Sequence, residues 1–156
     1  MLKYLTYDIV FQEVPNEVSL AIYISNCGHH CPNCHSPALQ RDGGANLDRE
    51  ELEKLILKYR GLISCILFMG DGQDPEGIEE LCLYVKMCWG LKTALYTGAD
   101  SVPAYLYKCL DYLKVGPYIE ARGGLDHEGT NQRFFMIQHE PWLMDCTGMF
   151  KKKLSE

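Results

Sequence analysis

Cys27, Cys31 and Cys34 stand in the octet Cys27-Gly28-His29-His30-Cys31-Pro32-Asn33-Cys34, a C-x3-C-x2-C spacing that can bring three thiolates to one centre. Tetrahedral zinc and cubane iron–sulfur sites each take four donors, so three cysteines leave one position open. His29, His30 or His35 would close a structural zinc site. With the position left open, the same cysteines suit a catalytic centre, which reserves a place for substrate or water. As a bare motif the spacing accommodates either metal.

Asp71, in Gly70-Asp71-Gly72, is the other candidate. Its flanking glycines give the backbone freedom at the end of a strand. Taken alone, this segment reads first as an ordinary strand-to-helix turn whose aspartate only caps. Of the eight cysteines, Cys65, Cys82, Cys88 and Cys109 lie in apolar periodic segments and are expected in the core as small hydrophobes. Cys146 suits either packing or a spare thiol. His127 and His139 are expected on the surface.

The 156 residues, 47% of them apolar, suit one domain over 1–156 with its own core. A structural zinc usually staples a fold too small for a core, which tilts the cysteine loop toward iron–sulfur. Met1 to Asp8 lacks the apolar stretch of an export signal, and no run is long enough to cross a bilayer. A cytoplasmic protein with reduced thiols is therefore expected, with no membrane partner. A net charge of −6 and a single short basic run, Lys151-Lys152-Lys153, argue against nucleic acid as a partner.

The elements that must position these residues read as alternating strands and helices. Residues 18–24 are β-branched and apolar, a first strand that runs into the cysteine loop. Asp48 as N-cap, Glu51 three residues on and the Leu47/Leu52 staple start a helix, with Leu52, Leu55, Ile56 and Tyr59 as its buried stripe and Gly61 as its stop. Residues 62–69 form a strand apolar enough to be covered on both faces. Asp74 and Pro75 open the next helix, with Ile78, Leu81, Cys82 and Val85 inward. Strands over 91–96, 112–115 and 133–138 follow, with a helical segment over 101–110 and a polar loop over 123–130. This order predicts an α/β fold, a small partial (β/α) barrel with a mostly parallel sheet, whose ligand lies at the carboxyl ends of the strands.

Together these phrases resemble the radical S-adenosylmethionine (SAM) superfamily, and within it the activating proteins of anaerobic (class III) ribonucleotide reductase. The resemblance rests on Ser25 to Cys34, Phe68-Met69-Gly70-Asp71-Gly72-Gln73-Asp74-Pro75, Leu95-Tyr96-Thr97-Gly98, Val115-Gly116-Pro117-Tyr118 and Thr130-Asn131-Gln132-Arg133, which occur in order along most of the chain. It implies that Cys27, Cys31 and Cys34 hold three irons of a [4Fe-4S] cluster and that SAM completes the fourth. One electron from the cluster would split the sulfonium into methionine and a 5′-deoxyadenosyl radical. That radical would take hydrogen from a glycine Cα of the reductase large subunit, leaving a glycyl radical. A flavodoxin-like or similar electron donor is implied too. The SAM contacts carried over are Gly70, Asp71 and Gly72, here without the Gly-Gly-Glu of the wider pattern, and Asn33, Cys34 and His35 around the third cysteine.

Two other readings accompany this one. A different small radical SAM enzyme would share the cofactors, acting either on another glycyl-radical protein or on a small molecule. A binding module stabilised by zinc or a cluster would use the cysteines without catalysis.

Overall fold

The computed structural model describes residues 1–28, 37–138 and 143–151. Its strands are β1 (Lys3–Val10), β2 (Ser19–Ile24), β3 (Ala45–Asn46), β4 (Cys65–Met69), β5 (Lys92–Tyr96), β6 (Tyr112–Val115), β7 (Arg133–Ile137) and β8 (Leu143–Asp145). Two α-helices accompany them, α1 (Arg49–Lys58) and α2 (Pro75–Trp89). The strands form one sheet in the order β3-β1-β2-β4-β5-β6-β7-β8, so the architecture is α/β.

The centre of the sheet is parallel and its flanks are not. β2, β4, β5 and β6 pair in parallel, whereas β1 with β2 and β3, and β7 with β6 and β8, pair antiparallel. The expected mostly parallel sheet is therefore corrected to a mixed one in which antiparallel pairings are the majority. The cause lies in the connections. The β1–β2 and β7–β8 links are too short for the crossover of a dozen or more residues that a parallel pair demands. The longer segment between β6 and β7 holds no helix and returns from the edge where β6 ends.

Local chemistry explains both helices. Asp48 accepts from the Glu51 amide at 2.8 Å and caps α1. Asp74 accepts from the Gly77 amide at 3.1 Å, with Pro75 in the first turn of α2. Each such cap contributes about 1 kcal/mol. Gly90 ends α2 in a left-handed conformation. The expected helix over 101–110 is reduced to a 3-10 turn at Ala104–Lys108. Pro103 is itself extended, with ψ of 140°, so the turn begins only after it.

Alternation along the central strands divides the core in two. Leu20, Ile22, Ile66, Phe68 and Leu95 face the helices and meet Leu52, Ile56, Ile78, Leu81 and Val85. Ala21, Leu67 and Ala94 face the other way, onto Val14, Tyr112 and Phe134. No helix among the described residues covers that second face; Val14 from the β1–β2 loop and Phe150 from the C-terminal turn pack there instead. Cys65, Cys82 and Cys109 are buried as expected, but Cys88 is exposed. The inward stripe of α2 continues from Val85 to Trp89, which packs on the core and leaves Cys88 on the flank. No helix among the described residues is long and apolar enough to cross a membrane.

Candidate functional site

β2 delivers the chain to the cysteine loop through three pinned residues. The Ser25 amide donates to the Lys3 carbonyl at 3.0 Å, Asn26 to Arg41 at 2.9 Å and Cys27 to Leu39 at 2.8 Å. The Ser25 hydroxyl donates to the Gly43 carbonyl at 2.6 Å. Cys27 is thus fixed on the sheet edge before the loop departs. Cys31 and Cys34, with Asn33, His35, His29 and His30, lie outside the described residues, as does His139.

The segment after β4 holds the loop's start from the other side. Gln73 donates its side-chain amide to the Asn26 carbonyl oxygen at 3.0 Å and to Asn26 Oδ1 at 3.3 Å. A Cβ on Gly28 would come within 3.0 Å of the Gln73 side chain. Here Asp71 accepts from the Gln73 amide at 3.0 Å and from the Thr97 hydroxyl at 3.4 Å, which joins the β4 and β5 ends. Gly72, at φ +61°, packs beneath Ile24 and Leu2. Of the three residues in Gly70-Asp71-Gly72, only Gly70 lines the adjoining cavity, at φ +106° with its amide on the Tyr96 carbonyl at 2.7 Å.

That cavity, about 500 Å³, opens at the carboxyl ends of β2, β4 and β5, on the side of the sheet away from the helices. Cys27 stands at its rim, partly exposed. Tyr23, Met69 and Tyr96 give it apolar walls. Lys114, 9% exposed, brings one cation into it. The ammonium group donates to the Gly116 carbonyl at 2.9 Å and to the Thr97 carbonyl at 3.3 Å, and lies 5.8 Å from the centre of the Tyr96 ring. Burial, reinforced by the Glu13 carboxylate, pushes the Tyr23 and Tyr96 hydroxyls above their usual range, so both remain protonated donors. Tyr96 donates to the Glu13 carbonyl.

The far wall is the segment from Gly116 to Thr130. Asn131 donates to the Pro117 carbonyl at 2.9 Å, and the Thr130 hydroxyl to Gly123 at 3.1 Å while accepting from the Gln132 amide at 3.0 Å. Thr130-Asn131-Gln132, whose role the sequence left unassigned, is therefore a clamp that closes this loop. It also turns Gln132, 6% exposed, toward the cavity. Sequence reading missed Lys114 and Gln132. For Lys114 a signal existed, since it is the only charge in an otherwise apolar strand.

No protein-family model matches this chain, and no curated protein matches it either. Among the described residues no three histidine, cysteine or carboxylate side chains gather on one point. The residues present nevertheless suit the implied groups. A thiol stands at the rim, a side-chain-free Gly70 allows close approach, and the cavity falls in the roughly 300–1,000 Å³ range of small-molecule sites.

Proposed function

We propose that this chain is a cytoplasmic radical SAM activating enzyme that installs a glycyl radical on the large subunit of an anaerobic ribonucleotide reductase. The observation that carries the reading is the meeting of Cys27, the first cysteine of the C-x3-C-x2-C loop, with Gly70 around one cavity at the carboxyl edge of parallel strands. Cys27, Cys31 and Cys34 would hold a [4Fe-4S] cluster and the cavity would take SAM, with Gly70 at its wall and Asn33 and His35 flanking the third cysteine. When bound, the cluster and SAM supply the radical that takes hydrogen from a glycine Cα.

The chain's own residues have separable tasks. Asn26 and Gln73 fix the loop's start, Lys114 places a cation in a cavity that Glu120 and Asp126 also line, and Tyr23, Met69 and Tyr96 keep water from its walls. We read the sheet as the wall of a small partial barrel, with the β1–β2 loop closing its interior through Val14 and the carboxyl edge left for a polypeptide and for a flavodoxin-like electron donor.

Anaerobic reconstitution tests this. The expected product is brown, contains iron and sulfide, and gives a reduced-state electron paramagnetic resonance signal that changes on adding SAM. It should cleave SAM to 5′-deoxyadenosine, an activity lost in Cys31→Ala, and raise a glycyl-radical signal on the reductase. A colourless protein holding one tight zinc would overturn the enzyme reading. SAM cleavage without a glycyl radical on a competent reductase would overturn the activase assignment and leave a different radical SAM enzyme.

A further inference from the structure

A second cavity, about 550 Å³, lies at the opposite edge of the sheet, where β5 and β6 begin. Lys86, Lys92 and Lys108 reach it from α2, the start of β5 and the end of the 3-10 turn, with Asp111 as the only carboxylate in the lining among the described residues. Asp111 is committed: Oδ2 lies 2.5 Å from the Lys86 ammonium and accepts from the Thr93 amide at 2.9 Å. Among the described residues Lys92 and Lys108 have no such partner. Two positive charges therefore remain in one cavity of a chain whose net charge is −6. Lys92 and Lys108 are both exposed.

Below the lysines the lining changes character. Leu110, Tyr112 and Ile137 are buried, and Met136 and Tyr107 are partly covered. A small inorganic ion would use the lysines and leave this surface unoccupied. An apolar or aromatic body carrying a dianionic group would use both. Lysine binds phosphate as a point charge, and Tyr107 puts an aromatic side chain in the lining, which suits a flat ring system.

From this arrangement we infer that the lower cavity is a binding site for a phosphorylated small molecule with an aromatic body, of the class of nucleoside phosphates. Lys92 and Lys108 hold the phosphates and Tyr107 meets the ring. The site is separate from the cysteine-loop cavity, although β5 runs between them, with Lys92 at one end and Tyr96 at the other. It stands whether or not the upper cavity takes SAM.

Titration calorimetry with GDP, a probe without the adenosine of SAM, tests the inference on the full chain. GDP is expected to bind, more weakly as salt is raised, and equally well to Cys31→Ala. The double variant Lys92→Glu/Lys108→Glu should weaken binding about tenfold or more, and Tyr107→Ala should weaken GDP but leave pyrophosphate unchanged. Lys151→Glu, a charge reversal elsewhere, should bind as the parent does, and all variants should melt within a few degrees of it. The inference is overturned if GDP fails to bind at about 5 mM, if the double variant binds it like the parent, or if SAM displaces it competitively. Equal losses for GDP and pyrophosphate in Tyr107→Ala would remove the aromatic part of the ligand class.

Discussion

Gly72→Ala is the substitution that best separates folding from ligand binding in the Gly70-Asp71-Gly72 turn. An added Cβ at Gly72 would stand 2.9 Å from Ile24 Cγ2 and 3.0 Å from Leu2 Cδ2, and both of those side chains are almost wholly buried. Carbon atoms pack best at about 3.5–4.0 Å, so each neighbour must yield by roughly 0.5–1 Å. Overpacking of this kind costs about 1–3 kcal/mol. The φ of +61° adds about 1 kcal/mol for a residue with a Cβ. Together these give roughly 2–4 kcal/mol, a fall in Tm of roughly 4–15 °C for a chain of this size.

Gly70→Ala provides the contrast. Its Cβ would find nothing nearer than the Ile24 carbonyl at 3.4 Å, so only the φ of +106° opposes it, yet Gly70 lines the cavity. Circular-dichroism melting of the apoproteins in anaerobic reducing buffer, followed by SAM binding to the reconstituted forms, reads both effects. Gly72→Ala should lose mainly stability, and Gly70→Ala mainly SAM affinity. A Gly72→Ala protein that melts with the parent but binds SAM poorly would refute the division and return Gly72 to the ligand.

Three further outcomes are expected. Gln73→Ala removes the amide that holds Asn26, costing about 0.5–1.5 kcal/mol, and should speed iron loss from the reconstituted protein to a chelator; release at the parental rate would discount the clamp. Cys88→Ser should remove one fast-reacting thiol from the native protein in a dithionitrobenzoate assay at pH 8, whereas Cys65→Ser should not, because burial pushes the Cys65 thiol up to about 12. Burial opposes ionisation of Asp145, but hydrogen bonds from Thr147 and the nearby Arg133 guanidinium outweigh it and hold the carboxyl below its usual range. Its contribution to stability is therefore complete above about pH 4 and is lost as pH falls through the lowered folded value. Asp145→Asn should flatten the acid limb of Tm against pH, and an unchanged limb would exclude Asp145 from it.

Features written in adjacent residues could be read from the sequence. Asp48 and Asp74 were identifiable as caps because each needs only an amide three residues on. The stripe from Ile78 to Val85 follows from helical spacing. β1 was missed because a register irregularity between Tyr4 and Thr6 breaks its alternation, leaving Leu5 and Thr6 both exposed. The antiparallel flanks were missed for a related reason: the β6–β7 loop does not announce which way it returns. Gly70 was legible as a glycine at a strand end. Gln132 was not, since only the Thr130 and Asn131 clamp brings it to the cavity from a different part of the chain.

The position of Cys27 depends on the turn that leads into α2 as much as on β2. Asn26 and Gln73 both have left-handed backbones, at φ +64° and +59°, and the Gln73 amide bridges them. Such a conformation costs roughly 1 kcal/mol or more per non-glycine residue, and asparagine bears it more readily than glutamine does. The hydrogen bonds to Asn26, the Asp71 carboxylate on the Gln73 amide and the Asp74 cap one residue later together offset that strain. The same turn that starts α2 therefore aims Gln73 at the cysteine loop. Backbone hydrogen bonds to Lys3, Arg41 and Leu39 hold the chain through Cys27 from one side; the turn holds Asn26 from the other, beside Gly70 and the cavity. This explains why Cys27 and the glycines, more than forty residues apart in the chain, act as one construction: Gly72 lets the turn sit under Ile24, Gln73 reaches across from it, and the first cysteine is held at the rim of the cavity.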